Sequence, residues 1–168
     1  DVYKRQSYSW SNGETTQDIS GLVPGTYQVI ITDANNCEIS ESFVIEQPDT
    51  LNLVSQVNQV SCNGANDGSI DITVSGGTPN YSYSWTKDDE PYSTNEDISN
   101  LSPGDYKVIV TDANNCEITS QTYSITEPDE LVVTGEKSNF NGFEISCNGA
   151  NDGAIDITPS GGTPNYSY

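Results

Sequence analysis

Ser61-Cys62-Asn63-Gly64-Ala65-Asn66-Asp67-Gly68 returns unchanged as Ser146-Cys147-Asn148-Gly149-Ala150-Asn151-Asp152-Gly153, 85 residues later. A second octapeptide, Thr32-Asp33-Ala34-Asn35-Asn36-Cys37-Glu38-Ile39, returns at Thr111–Ile118 with a shift of 79. Trp10 returns as Trp85, a shift of 75. Self-similarity at a period of this size marks a chain built from stacked or strung supersecondary units. The shift grows along the chain, so the added residues can be placed. Four lie between the Trp and the second Cys, where Thr86–Pro91 replaces Ser11-Asn12-Gly13. One lies in the strand after Cys116, and five lie near Gly135 to Phe143. Such insertions belong in surface loops, where lengthening is thermodynamically mild.

The phase of the repeat divides the chain. Residues 1–6 do not fit it and hold two of the five basic residues, so they read as a non-native leader. Residues 7–48 are the back part of one repeat, 49–128 a complete repeat and 129–168 the front part of another. Tyr168 corresponds to Tyr83 and Ser9 to Ser84, so the flanking pieces together make about one further repeat, cut in the middle. The expectation is an array that continues in both directions. The flanking pieces, each short of a full core, are expected to fray or to complement one another.

The chain has 168 residues, 5 basic and 25 acidic, for a net charge of −20. Such a surface repels phosphates and anionic lipid, which argues against nucleic-acid and membrane-surface partners. No apolar run approaches the roughly 20 residues of a membrane span. Histidine is absent. There is thus no imidazole for acid–base work and no Ser/His or Cys/His pair, and the reading is not an enzyme. Ser, Thr, Asn, Asp and Gly abound, yet Ile, Val and Tyr alternate regularly and supply a buried face that a disordered chain lacks.

The complete repeat reads as short strands separated by turns. Leu51–Ser61 is a first strand, and Asn63–Gly68 a turn of residues that accept left-handed backbone. Ile70, Ile72 and Val74 alternate with polar residues, as do Tyr81, Tyr83 and Trp85, and then Tyr106, Val108 and Val110. Asp97–Leu101 is a short strand, and Cys116–Ile125 is the last. Turns every 8 to 12 residues in a unit near 80 residues predict an all-β fold of tandem immunoglobulin-like β-sandwich repeats. A unit this small has a thin core, and a disulfide would add roughly 2–4 kcal/mol.

The four cysteines fall in two recurring slots, one of each per repeat, in an acidic chain that suits an oxidising, extracellular setting. With an even number of main strands, Cys62 and Cys116 lie at one end and can bridge within the repeat. With seven they lie at opposite ends, and bridging has to go between repeats. The Cys62–Cys116 bridge is the favoured pairing, which leaves Cys37 and Cys147 without partners.

Over nearly all of the chain from Ser7 onward, the sequence resembles the SprB-type repeat. The resemblance rests on Val60-Ser61-Cys62-Asn63-Gly64, Asn66-Asp67-Gly68-Ser69-Ile70, Val74-Ser75-Gly76-Gly77-Thr78-Pro79, Tyr81-Ser82-Tyr83-Ser84-Trp85, Gly104-Asp105-Tyr106 and Val110-Thr111-Asp112-Ala113-Asn114-Asn115-Cys116. The Tyr-x-Trp and Gly-Asp-Tyr-x-Val portions are also similar to PKD domains. The resemblance implies very large, acidic cell-surface proteins of Bacteroidota, exported by the type IX route, whose founding member is a gliding-motility adhesin. It implies an extracellular repeat that adheres to glycan or surface polysaccharide, or a passive stalk presenting another domain. The neighbouring repeats of the same chain are its other partners.

Asn63, Asn66, Asp67 and Asp71 offer oxygen ligands of the kind Ca²⁺ takes. Their spacing departs from an EF-hand loop, and a turn held by Asx hydrogen bonds is the simpler reading. No other cofactor is implied. Tyr81, Tyr83 and Trp85 could stack on a sugar, though their alternation makes them core. Asn80-Tyr81-Ser82 matches a glycosylation sequon. Asp88-Asp89-Glu90 is a solvated charge cluster in the least repeat-like segment, where repeat-specific binding could reside.

Overall fold

The computed structural model describes residues 6–167, so the leader read at residues 1–6 lies, but for Gln6, outside the described residues. The chain divides into two compact units, residues 1–49 and 50–168. No helix is present among the described residues, and the fold is all-β.

The first unit is one antiparallel sheet of three strands: β1 (Ser7–Trp10), β2 (Gly25–Thr32) and β3 (Glu38–Ile45), in the order β1-β2-β3. Trp10 lies opposite Val29, and Tyr27 opposite Phe43.

The second unit opens with β4 (Asn52–Asn58) and β5 (Gly68–Ser75), joined through the Ser61–Gly68 turn. There follow β6 (Ser82–Lys87), β7 (Glu90–Ser93), β8 (Ile98–Leu101), β9 (Gly104–Thr111), β10 (Glu117–Thr119) and β11 (Tyr123–Ile125). One sheet runs β4-β5-β8, the other β10-β9-β6-β7, with β11 continuing the β10 edge along β9. All pairs are antiparallel.

The two sheets face each other because their period-two patterns each supply one apolar face. Ile70 and Ile72 of β5 and Ile98 and Leu101 of β8 come from one sheet. Trp85 of β6, Tyr106, Val108 and Val110 of β9, and Tyr123 and Ile125 of β11 come from the other. The Asp71, Lys107 and Ile109 side chains between them point outward and are exposed. Trp85 is 1 % exposed and sits 6.1 Å, ring centre to ring centre, from Tyr123. Its indole N–H donates to the Asn95 carbonyl at 2.9 Å, so the one polar atom of the largest core side chain is satisfied. The unit ends in a hairpin of β12 (Val132–Lys137) and β13 (Ile155–Ser160), whose register matches that of β4 with β5.

Two strands differ from the sequence reading. The inserted Thr86–Pro91 segment extends β6 and makes a new strand, β7, across a two-residue connection. Asp88 and Asp89 both have positive φ, 51° and 66°, as a type I′ turn requires. The last strand is broken in two at Ser120–Thr122. There the Ser120 N–H donates to the Val108 carbonyl at 2.9 Å, and the Ser120 hydroxyl accepts the Val108 N–H at 3.0 Å. The hydroxyl thus replaces a backbone carbonyl where the added residue interrupts the ladder. In the first unit, without that residue, β3 runs unbroken.

The expected Cys62–Cys116 bridge is corrected by this topology. All four cysteines are free and exposed. Cys62 lies beside the chain's exit from the sandwich, where the Val60 N–H donates to the Thr126 carbonyl and the Asn63 side-chain amide to the Pro128 carbonyl. That is the Gly104 end of β9, since Gly104 pairs with Ile125. Cys116 adjoins Glu117, which pairs with Thr111 at the other end. The eight residues of β9 span about 23 Å at ~3.3 Å per residue. A disulfide needs Cα atoms within about 7 Å.

Two outcomes test this fold. Trp85→Ala lowers the stability of the central sandwich by about 3–5 kcal/mol, whereas Trp10→Ala leaves that transition unchanged; urea unfolding followed by far-ultraviolet circular dichroism reads both. After oxidation with oxidised glutathione, peptide mapping under non-reducing conditions finds no Cys62–Cys116 link.

Candidate functional site

Three of the four residues read as possible calcium ligands, Asn63, Asp67 and Asp71, have partners within the fold. Both Asp67 oxygens are engaged by Ser61, its N–H at 2.9 Å and its hydroxyl at 2.5 Å. This closes the turn locally and holds the Asp67 carboxyl below the usual range, first through the hydroxyl. The Asn63 side chain donates to Pro128, and the Gly64 N–H donates to Glu127 at 2.6 Å. The turn is therefore tied to the linker. Asp71 lies three residues along β5 from the turn and belongs with Asp97, whose charge raises its carboxyl pKa. Among the described residues, no group of three or more His, Cys, Asp or Glu could hold a metal ion.

Asp112 does at the opposite end what Asp67 does here. It is buried, and it accepts the N–H groups of Thr78, Asn114 and Cys116 at 2.8, 2.9 and 2.8 Å. Those bonds, that of Thr78 foremost, lower its pKa. Gly77 beside it has φ of +61°, and a β-carbon there would stand 2.8 Å from Leu51 and 2.9 Å from the Asp112 carboxylate. Only glycine fits both the backbone and the gap. In the first unit Asp33 takes the N–H groups of Asn35 and Cys37 in the same way.

The aromatic triplet divides. Trp85 is core, while Tyr81 and Tyr83 are half-buried against it. The Tyr81 hydroxyl donates to the Gly76 carbonyl at 2.6 Å. Burial, and then Glu96, push the Tyr83 phenol up to about 12. Trp85, buried, has no ring face for a sugar to stack on, and Tyr81 and Tyr83 pack in part against the core. Asn80, in the sequon, has φ of +81° at the turn before β6.

The remaining candidate is the groove beside the β6–β7 turn, lined by Thr86, Asp88, Asp89, Asp105, Lys107 and Thr122. Asp88 accepts the Asp105 N–H at 2.9 Å, and its own N–H donates to the Asp105 carbonyl at 2.8 Å. The hairpin is thus pinned over the start of β9. Lys107 approaches Asp89 at 3.8 Å, an exposed pair of little energetic weight. Lys87 donates to Ser102 and lies 5.6 Å from the centre of the Tyr106 ring. The groove offers hydroxyls, carboxylates and one ammonium. The charge cluster was visible in the sequence. Its pairing with Asp105 was not, since only the fold of β9 against β6 brings the two together.

The carboxylates set the response to acid. Asp67 and Asp112 have lowered values, so their stabilisation is present above the unfolded value of about 3.9 and is lost as pH falls through the folded one. Asp71 has a raised value, so its ionised form is penalised in the fold, and stability rises as pH drops through its pKa. Asp71→Asn therefore stabilises the sandwich at pH 7 and flattens the gain between pH 7 and about pH 4. Thermal unfolding at stepped pH checks this, and a lower melting temperature than wild type at pH 7 would contradict it.

No helix of the described chain is long and apolar enough to cross a membrane. No curated protein and no solved structure matches the chain. The family model described as the SprB repeat matches residues 54–89 and 144–168, each beginning in the first strand of its repeat or in the turn after it. These two segments, carrying the same Ser-Cys-Asn-Gly turn and the same strand after it, are occurrences of the SprB repeat, a structural repeat family.

Proposed function

We propose that this chain is a non-catalytic stretch of a large extracellular, cell-surface adhesin, in which each repeat is a rigid sandwich and the β6–β7 hairpin is the variable contact element. One observation carries the reading: the scaffold is the same in successive repeats while that hairpin is not. Trp10 and Trp85, Tyr27 and Tyr106, Asp33 and Asp112 occupy equivalent places with equivalent partners. After Trp10 comes the shorter Ser11-Asn12-Gly13 where Trp85 is followed by Thr86–Pro91. A net charge of −20 disfavours anionic polysaccharide, so a neutral glycan is the ligand class that suits the groove. Attachment would come from many weak copies acting together. Gliding motility and type IX export are readings carried by the family resemblance alone.

A passive stalk is the second reading. It is favoured by the way Asp67, Asp88 and Asp112 commit their carboxylates to backbone N–H groups of the fold. A glycan array probed with this chain separates the two. The adhesin reading expects binding to neutral glycans, which is lost when Thr86–Pro91 is replaced by Ser-Asn-Gly. An array on which nothing binds supports the stalk.

A further inference from the structure

Asn63-Gly64 is the single Asn-Gly pair of residues 49–128, and both residues are exposed. Asparagine is a thermolabile side chain, and a following glycine makes it more so. With no β-carbon to crowd the approach, the glycine nitrogen can attack the asparagine γ-carbon. A bond forms from Gly64 N to Asn63 Cγ, and the Cγ–Nδ2 bond breaks. The Gly64 proton, relayed through water, goes with the side-chain nitrogen, which leaves as ammonia. Water then opens the cyclic imide at one carbonyl or the other, to aspartate or isoaspartate.

The fold holds this reaction off. The Ala65 N–H donates to the Cys62 carbonyl at 3.0 Å, and of the two residues between them only Gly64 has positive φ, 75°. That is a type II turn, in which ψ of the first central residue is near +120°. At that angle the Gly64 nitrogen is turned away from the Asn63 β-carbon. The five-membered ring cannot close until the peptide plane between the two residues swings round. Two bonds oppose the swing. The Gly64 N–H donates to the Glu127 carboxylate at 2.6 Å, and the Asn63 side-chain amide donates to the Pro128 carbonyl at 3.1 Å. The first aims the attacking nitrogen at the linker, and the second anchors the group it would attack. The linker is itself fixed to the repeat, because the Thr126 N–H donates to the Gln59 side-chain oxygen at 2.6 Å and the Val60 N–H to the Thr126 carbonyl at 3.1 Å.

We propose that Asn63 is a latent self-modification site, closed while Glu127 and Pro128 lie on the turn and opened when the linker detaches. Its only reagent is water. The product does not restore the tie. A carboxylate at position 63 has no N–H to offer the Pro128 carbonyl. It also stands beside the Glu127 carboxylate, a like charge where there was a donor. Isoaspartate further routes the main chain through the former side chain and so reshapes the turn. A passing detachment of the linker thereby becomes a permanent one.

Peptide mapping by mass spectrometry tests the proposal on the full chain, incubated at mildly alkaline pH, by following aspartate and isoaspartate at position 63. Conversion is slow in the folded chain and much faster in urea. Glu127→Ala raises the folded-state rate about tenfold, the worth of one charge-assisted hydrogen bond, with tryptophan fluorescence unchanged as evidence that the sandwich is intact. Glu127→Gln keeps an acceptor for the Gly64 N–H without the charge, and gives a rate between the two. Were Glu127 instead a base that draws the proton from Gly64, both variants would slow the reaction, and that result would overturn the proposal. So would an Asn63 as durable in urea as in the fold. Asn63→Asp, which makes one of the products directly, speeds hydrogen exchange at the Gly64 amide; exchange as slow as in wild type would show that the tie survives the modification and would overturn its permanence.

Discussion

Burial of the Trp85 indole between two sheets is the constraint on which the rest of the central repeat depends. The ring is too large to be covered by its own sheet. It requires Ile70 and Ile72 from β5 on the far side and Tyr123 beside it. Its N–H must find an acceptor in the same dry place, and Asn95, in the segment leading from β7 to β8, supplies one. That single bond therefore ties the long β7–β8 connection to the core. Where the second sheet is absent, as around Trp10, the ring keeps its N–H partner, Thr16, and its aromatic neighbour, but loses its cover. Local sheet geometry is thus settled by each strand cluster itself, and dryness only by the pair of sheets.

The ends of the sandwich are held by charge rather than by apolar area. Asp67 takes its donors from Ser61 across one turn, Asp112 takes its donors from two, and these turns touch the path of the chain: Asn63 and Gly64 reach Pro128 and Glu127, while Gly77 packs on Leu51. An ionised carboxylate that accepts two or three hydrogen bonds is favoured by them over its neutral form, which is why the Asp67 and Asp112 values are lowered.

Most of the fold was legible in the sequence, because the repeat is marked by residues with one physical reason each. Alternating Tyr, Val and Ile gave the strands their inward faces, and Asn and Gly marked turns. Three features were not legible. The Asp88-Asp89 turn lacks the glycine that usually announces a two-residue hairpin, so β7 read as a loop. The break at Ser120 depends on a hydroxyl substituting for a carbonyl, which no periodicity records. The cysteine geometry turned on strand parity, and the one added strand between Cys62 and Cys116, β7, changed that parity. Of the candidate site, the charge of Asp88 and Asp89 was visible, but the Asp105 partner 17 residues away was not.

The bonds between Val60 and Thr126, and between Gln59 and Thr126, have a mechanical meaning. The chain comes in beside Leu51, near Gly77 and Asp112, and leaves at Pro128, near Cys62. β4 and β11 both run from the first end to the second, side by side and parallel, since β11 lies antiparallel to β9 and β9 runs back from Gly104 toward Asp112. Tension along the chain pulls β4 and β11 in opposite directions along their common axis. The hydrogen bonds and side chains joining them are then loaded in shear, all at once, instead of being peeled one after another. A repeat with this geometry resists stretching far more than its modest core would suggest.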